Sequence, residues 1–412
     1  MKHIIVIGAG PAGMMAAISA ARSGASVTLL EKKAKVGRKL SITGKGRCNL
    51  TSAVAQDELV KGFPGNGRFL HSAFSEFSNQ DLVQFFKDLG LKTKVERGQR
   101  IFPESDRAED VVSVLRHELL ACGVSLLTNY EVHKLEIEDG KAVGVRAQRE
   151  ALPADAVIVA TGGLSYPGTG STGDGYRWAA EMGHTIIEPR PGLVPLVAQD
   201  EWVKDLQGLS LKNIQATSYT PEGKKINQDF GEMLFTHFGV SGPIILSMSH
   251  DIGEYLYNHK QPVTLEIDLK PALSAEQLDE RLQRDLAKYT RKLFKNSLDD
   301  LLPQKLIATI IKLSGIPPEK PCHQVSRSER QVLLQVLKHL TLTIQDTASV
   351  AEAIVTAGGV KVKEIDPKTM ESRLVQGLYF VGEVLDVDGY TGGYNLQAAF
   401  STGYVAGRHA AR

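Results

Sequence analysis

Apolar positions in the first half of this chain come in two spacings, and those spacings set out most of its elements. Ile4-Ile-Val-Ile7 is an unbroken run of strand length, followed across a glycine turn by an Ala-rich helical stretch, and Val27-Thr-Leu-Leu30 is a second such run. Asp81–Gly90 has helical spacing. Ala108–Cys122 has it more strongly, with Val111, Val112, Leu115, Leu119 and Leu120 on one side. Val124–Leu127 and Glu131–Ile137 predict short strands, and Asp139-Gly140 predicts a hairpin into Val143–Arg149. Ala156–Ala160 predicts a buried strand that ends at Gly162-Gly163. The prolines between Pro189 and Pro195 mark a boundary. From there to about Asp268 the texture predicts β structure, with Thr264–Leu269 its clearest strand. Ala275–Leu302, Pro303–Leu313 and Arg327–His339 predict helices, and Thr341–Gln345 a further strand. The expected organisation is α/β and discontinuous. Residues 1–190 and 356–412 form one Rossmann-like domain, 191–273 with 341–355 an inserted β subdomain, and 274–340 a helical subdomain.

The 412 residues exceed one ordinary core, so several domains are expected. A formal charge of +1 gives no global attraction to nucleic acid or anionic membrane. No apolar stretch reaches membrane-spanning length. The N-terminus enters its first strand at once, which leaves no room for a signal peptide and points to the cytoplasm. Cys48, Cys122 and Cys322 are scattered singly, without the spacing of a redox pair or a metal site.

The chemistry begins where the first strand meets its turn. Gly8, Gly10 and Gly13 spell G-x-G-x-x-G between a strand and a helix, and the second strand ends on Glu31. This pattern binds a dinucleotide: the glycines admit a pyrophosphate to the helix N-terminus, and the acid takes the ribose hydroxyls. A 2′-phosphate at that ribose would be repelled by Glu31. Far along the chain, Gly377-Leu-Tyr-Phe-Val-Gly-Glu383 repeats the apolar run ending in glycine and acid, and Gly392–Phe400 is another glycine turn opening a helix. A nicotinamide dehydrogenase has no need of this second anchor. FAD, which is longer, does. Gly168, Gly170 and Gly173 form another G-x-G-x-x-G, but the strand before them stops at Ala160 and no βαβ unit follows. That segment is expected to be a loop over the cofactor, and NAD(P)H a transient electron donor.

Four further features carry candidate chemistry. Gly37–Ser52 interleaves glycines with Thr43, Cys48 and Asn49 and belongs to a cationic patch of Lys32, Lys33, Lys35, Arg38, Lys39, Lys45 and Arg47. Phosphate neutralisation beside a flavin is one reading and a solvated loop the other, with Arg47 suited to an anionic group. Cys48 is a candidate proton donor to substrate, or else a small buried hydrophobe. His237, with Thr236 and Ser241 nearby among glycines, is either an acid–base residue or a structural histidine. Arg281, Arg284, Lys288, Arg291, Lys292 and Lys295 lie on one expected helix, as a solvated face or as a surface for a polyanion such as RNA.

Gly37–Ser52, Arg100-Ile-Phe-Pro103 (taken as a turn), Ala160–Gly175, Phe235–Pro243 and Gly377–Gly407 together resemble the BaiN/RdsA family of NAD(P)/FAD-dependent oxidoreductases over essentially the whole chain. The resemblance implies a flavoprotein of the two-dinucleotide-fold type with inserted β-barrel and helical domains. It places FAD on Gly8, Gly10, Ala12, Gly13, Glu31, Lys32, Arg47, Asn49, Val132, Thr161, Gly162, Gly382, Glu383, Gly393, Asn395 and Leu396. The loop Thr172–Gly175 is also similar to one in fumarate reductase flavoproteins. Family activities imply reduction of an activated carbon–carbon double bond, in a steroid-like small molecule or in uridine of 23S ribosomal RNA. Cys48, Tyr394 and His237 are the candidate proton donors. A flavin-binding factor without catalysis and an FAD oxidase or monooxygenase are the competing expectations.

Overall fold

The structure, a computed structural model, describes residues 1–412. The chain divides into two compact units, Met1–Gly192 with Val350–Arg412, and Leu193–Ser349.

The first unit is built on a five-stranded parallel sheet in the order Leu378–Phe380, Ala156–Val159, His3–Ile7, Ser26–Glu31, Ser125–Thr128. Its central strands read as unbroken apolar runs because helices cover both faces. Ile4, Ile5, Val6, Val157, Ile158 and Val159 have no accessible surface. The N-terminal helix, Pro11–Arg22, lies against the C-terminal helix, Tyr394–Ala410. Gly403 faces the carbonyl of Ala12 and Gly407 that of Ala16, so the two helices run in the same direction. Glycine is required for that approach, since a Cβ at Gly403 would lie 2.3 Å from the Ala12 oxygen.

Smaller pieces complete this unit. Val132–Glu138 and Lys141–Ala147 form the expected hairpin, with Asp139 and Gly140 both at positive φ as its tight turn demands. Arg100–Pro103 is not a turn: it is the middle strand of an antiparallel ribbon, between Thr51–Ser52 and Thr93–Glu96. The strand Ala156–Val159 is followed by a loop and the helix Asp174–Glu181, and the next strand, Ile186–Gly192, pairs antiparallel with Val355–Val360. The glycines at 168, 170 and 173 therefore open no second nucleotide sheet. Gly192 stands opposite Val355, so the chain leaves the unit and returns to it side by side.

The second unit is a closed six-stranded barrel, ordered Leu196–Ala198, Gly239–Ser241, Lys225–Phe235, Ser210–Tyr219, Val263–Asp268, Leu340–Thr347. Its helices share one core with it: Leu278, Leu282, Leu306, Ile310, Leu333 and Leu337 cluster with Leu265, Ile267 and Leu342 of the strands. Two expectations need correction here. Within the supposed β stretch, Pro243–His259 is a 17-residue helix that buries Ile244, Ile245, Met248, Ile252 and Leu256. The expected helix 275–302 stops at Lys288, and Phe294–Asn296 is a single 3₁₀ turn.

Candidate functional site

Glu31 ends the second sheet strand beside the glycine turn. Its carboxylate accepts from the Ala9 N–H (2.9 Å) and the Lys33 N–H (2.8 Å), one bond per oxygen. A carboxylate can accept about four hydrogen bonds, so Glu31 is held in place with capacity left for a diol. The Gly8–Gly13 turn is locked by its own backbone: a Cβ on Gly8 would strike the Ala160 carbonyl, and one on Gly13 the Gly8 carbonyl. Gly10 differs. A Cβ there would meet nothing within 4 Å, so the turn opens outward at the residue that caps the N-terminal helix. No side chain caps that helix, and Pro11 follows at its first position, which leaves the next N–H groups directed at the opening.

The C-terminal helix also starts uncapped, at Gly393 (φ 97°). Gly393 could not be another residue, because a Cβ would lie 2.5 Å from the Thr51 carbonyl. Two positive helix ends thus point the same way within one unit. Asn395 does not reach outward: its side chain accepts from the Gly389 N–H (2.8 Å) and donates to the Gly389 carbonyl (2.7 Å), fixing the preceding loop.

Glu383, in the short turn Gly382–Val384, is held by donors from three segments. Lys39 Nζ lies 2.7 Å from Oε2, while Ser165 Oγ (2.9 Å) and the Thr356 N–H (2.8 Å) donate to Oε1. Burial alone pushes this carboxyl up; the Lys39 charge and the donors outweigh it and hold it below the usual range.

Three of the seven cations in the patch, Lys32, Lys39 and Arg47, are held in ion pairs. Lys32 bonds Asp174 (2.6 Å) and Thr172. Lys39 serves Glu383. Arg47 bonds Asp106 (2.5 Å) and Glu96 and stacks on Phe102. The side chains of Lys32 and Arg47 are thus bonded to carboxylates of other segments. Within the same segment Gly44, Lys45, Gly46 and Cys48 all have positive φ, a tight coil that buries the Cys48 side chain completely. Desolvation pushes that thiol up to about 12. Cys48 is a core residue facing no opening, so the reading of it as a proton donor gives way to that of a buried hydrophobe.

The other expected residues fall in two places. Gly162 (φ 71°) packs toward Ser171 and Glu383, and Val132 is buried at the start of its strand. Two buried oxygens, Thr161 Oγ1 and Asn49 Oδ1, have no partner within the protein. The Tyr394 ring stands edge-on to Phe63 at 6.0 Å and is packed against Gly62. His237 lies in the barrel unit, exposed in the bend between two strands, its ring edge-on to Phe238. Lys39, Ser165 and Thr356 escaped the sequence analysis as partners of Glu383, because they come from three segments far apart in the chain.

The residues fit FAD. An acid with spare acceptor capacity, an outward-opening glycine turn, two uncapped helix ends and unpartnered buried oxygens make up a surface for a long, anionic, hydroxylated cofactor. The comparisons agree. The family described as the HI0933-like protein Rossmann domain matches residues 2–409. A 3-dehydro-bile acid delta(4,6)-reductase from Clostridium scindens is 37% identical and covers 100% of this chain and 99% of its own. A ribosomal RNA dihydrouridine synthase from Haemophilus influenzae is 35% identical over 97% and 96%. Among solved structures, a 3-ketosteroid delta1-dehydrogenase from Sterolibacterium denitrificans shares the fold over the full length of both chains, at a TM-score of 0.55 and 14% identity.

Proposed function

This chain belongs to the HI0933-like Rossmann-domain family and is an FAD-dependent oxidoreductase, and on that premise we propose that it saturates the carbon–carbon double bond of uridine in large-subunit ribosomal RNA. The observation that carries the reading is end-to-end similarity to relatives whose names share one reaction. A delta(4,6)-reductase and a dihydrouridine synthase each add two hydrogens across an alkene, and uridine's alkene is conjugated to a carbonyl. A second ribosomal RNA dihydrouridine synthase, from Escherichia coli, is 30% identical and covers 97% of this chain and 96% of its own.

FAD, held by these residues, would supply a two-electron hydride carrier, reducible by NAD(P)H, for an electron-poor alkene. The chain's residues do the rest. Glu31 anchors a ribose, the Gly8–Gly13 turn admits the pyrophosphate to the N-terminal helix, and the second uncapped helix end adds positive potential. Lys39, Ser165 and the Thr356 N–H keep Glu383 ionised and aimed. Tyr394 donates the proton that completes the addition; its ring is held by Phe63 and Gly62 at the start of the C-terminal helix.

Dihydrouridine in 23S ribosomal RNA, measured by nuclease digestion and mass spectrometry with and without this gene, tests the substrate. Loss at one site on deletion, restored by the gene, is the expected result. An unchanged level overturns it. The bile acid reductase relative then favours a small cyclic enone, tested by substrate-driven reoxidation of the reduced enzyme.

A further inference from the structure

We infer that the barrel unit carries a second ligand site, separate from the nucleotide-binding surface, which takes an organic carboxylate with a compact apolar body. A half-open cleft of about 300 Å³ lies between the barrel wall and the helical region of this unit. That volume is at the lower end of small-molecule sites, and at about 30 Å³ per water-sized group it has room for roughly ten non-hydrogen atoms. Ile214, Leu269, Leu302 and Leu306 give it apolar walls, and of its two lysines Lys212 is exposed and Lys270 half-buried.

The charge is uncompensated. Lys270 follows the strand Val263–Asp268 and is half-buried. Burial, with the nearby Arg281 charge second, depresses its ammonium below the ordinary lysine range, and no acid offsets this. Asp268, the carboxylate two residues away, is already taken by Lys338 Nζ at 2.5 Å and by the Lys270 N–H at 2.8 Å. Arg281 is bonded to Asp285. The helix Gln304–Ser314 adds to the same field. It starts at Pro303 on the cleft wall without a side-chain cap, and its first lysine, Lys305, is turned to the Gln207 carbonyl. A half-buried cation without a counter-ion is costly unless an anion joins it. Inorganic phosphate would satisfy the charge and leave the apolar walls bare, whereas a carboxylate on a short hydrocarbon satisfies both.

Octanoate, its neutral isostere octanamide, and inorganic phosphate, each titrated into the FAD-loaded enzyme by calorimetry, test the inference. Saturable octanoate binding is expected, with octanamide at least tenfold weaker and phosphate unable to displace octanoate at equal concentration. Lys270→Met weakens octanoate at least tenfold, Lys270→Arg restores most of it, and Leu306→Trp fills the cleft and blocks binding. Thermal midpoints and FAD content of each variant show whether it folds, and Lys270→Met serves alone if Leu306→Trp does not. Equal affinity for octanamide, displacement by phosphate, an unaffected Lys270→Met variant, or no saturable binding at millimolar octanoate would each overturn the site.

Discussion

At the scale of single residues, two candidate proton donors part company on burial. The Cys48 thiol has no accessible surface and is pushed up to about 12, whereas Tyr394 is half-buried at the head of a helix. Tyr394→Phe is therefore expected to lower kcat for alkene reduction by about 100-fold, the lower end of what general acid catalysis contributes. FAD content and the rate of flavin reduction by NAD(P)H should stay as they were. Cys48→Ala should keep kcat within about twofold and cost about 1 kcal/mol of stability for the lost packing. The reverse pattern in stopped-flow half-reactions would return the role to the thiol. His184 sets a pH dependence of a different kind. It is buried edge-on to Phe380, bonds Ser372 through Nε2 at 2.8 Å, and has Nδ1 3.4 Å from Glu364 without hydrogen-bond alignment. Burial lowers its proton affinity more than Glu364 raises it, so the folded value lies below the ordinary imidazole value of 6.5. The unfolded chain then takes up the proton first. The stability contribution is full above pH 6.5 and is lost as pH falls through and below that value. Thermal midpoints at pH 7.5 and 5.5 should fall further for the wild type than for His184→Gln, by about 2–4 °C for each kcal/mol involved. Parallel curves for the two proteins would remove His184 as the cause.

At the scale of elements, the contact between the first and last helices is the structural basis of the proposed cofactor surface. A Cβ at Gly403 would lie 2.3 Å from the Ala12 carbonyl and one at Gly407 2.1 Å from that of Ala16, and neither neighbour is a flexible side-chain tip. Gly403→Ala must push the helices apart. Overpacking of this sort costs about 1–3 kcal/mol, and it also displaces two helix ends that face the same direction. Chemical denaturation of the variant should show that loss, with FAD dissociating faster in a fluorescence assay. Normal stability and normal FAD retention together would mean that the helix contact is looser than it looks. The same helices show what a sequence reveals. Gly8-x-Gly10-x-x-Gly13 and Glu31 announce themselves because turn, helix end and acid lie within one short βαβ segment. The partners of Glu383 do not, since Lys39, Ser165 and Thr356 are brought together only by the fold. The anions that Arg47 meets are hidden for the same reason: Glu96 and Asp106 lie in and beyond a ribbon whose middle strand reads as a turn. Pro243–His259 was legible in principle. Pro243 at the first helical position and Ile244, Met248, Ile252 and Leu256 at intervals of four mark a helix, but the β texture around them obscured it.

At the scale of the whole molecule, charge is nearly balanced at +1, so binding to RNA must come from local surplus. The stretch from Ser274 to Leu340 holds twelve Lys and Arg against eight Asp and Glu. Five pairs inside the stretch leave that surplus unchanged, at seven cations against three acids: Arg281 is paired with Asp285, Lys288 with Asp300, Lys295 with Glu319, Lys320 with Glu329 and Arg330 with Asp279. Arg284, Arg291 and Lys292 are exposed and outside these pairs, although Lys292 stacks on Tyr289. Each phosphate neutralised on single-stranded RNA contributes a slope of about −0.7 to log K against log salt. Engagement of Arg284, Arg291 and Lys292 alone predicts a slope of about −2 for ribosomal RNA binding. A protein that engaged all six cations from Arg281 to Lys295 would show a slope of about −4. Arg284→Glu with Arg291→Glu should weaken RNA binding severalfold while leaving FAD content and NAD(P)H-driven flavin reduction unchanged. If RNA binds tightly and the double variant matches the wild type, the contact surface lies elsewhere on the molecule and this segment is only a solvated face. A steep slope that the double variant flattens would instead mean that the ion pairs open on binding, so that Asp285, Asp300 and Glu319 compete with the RNA for the same cations.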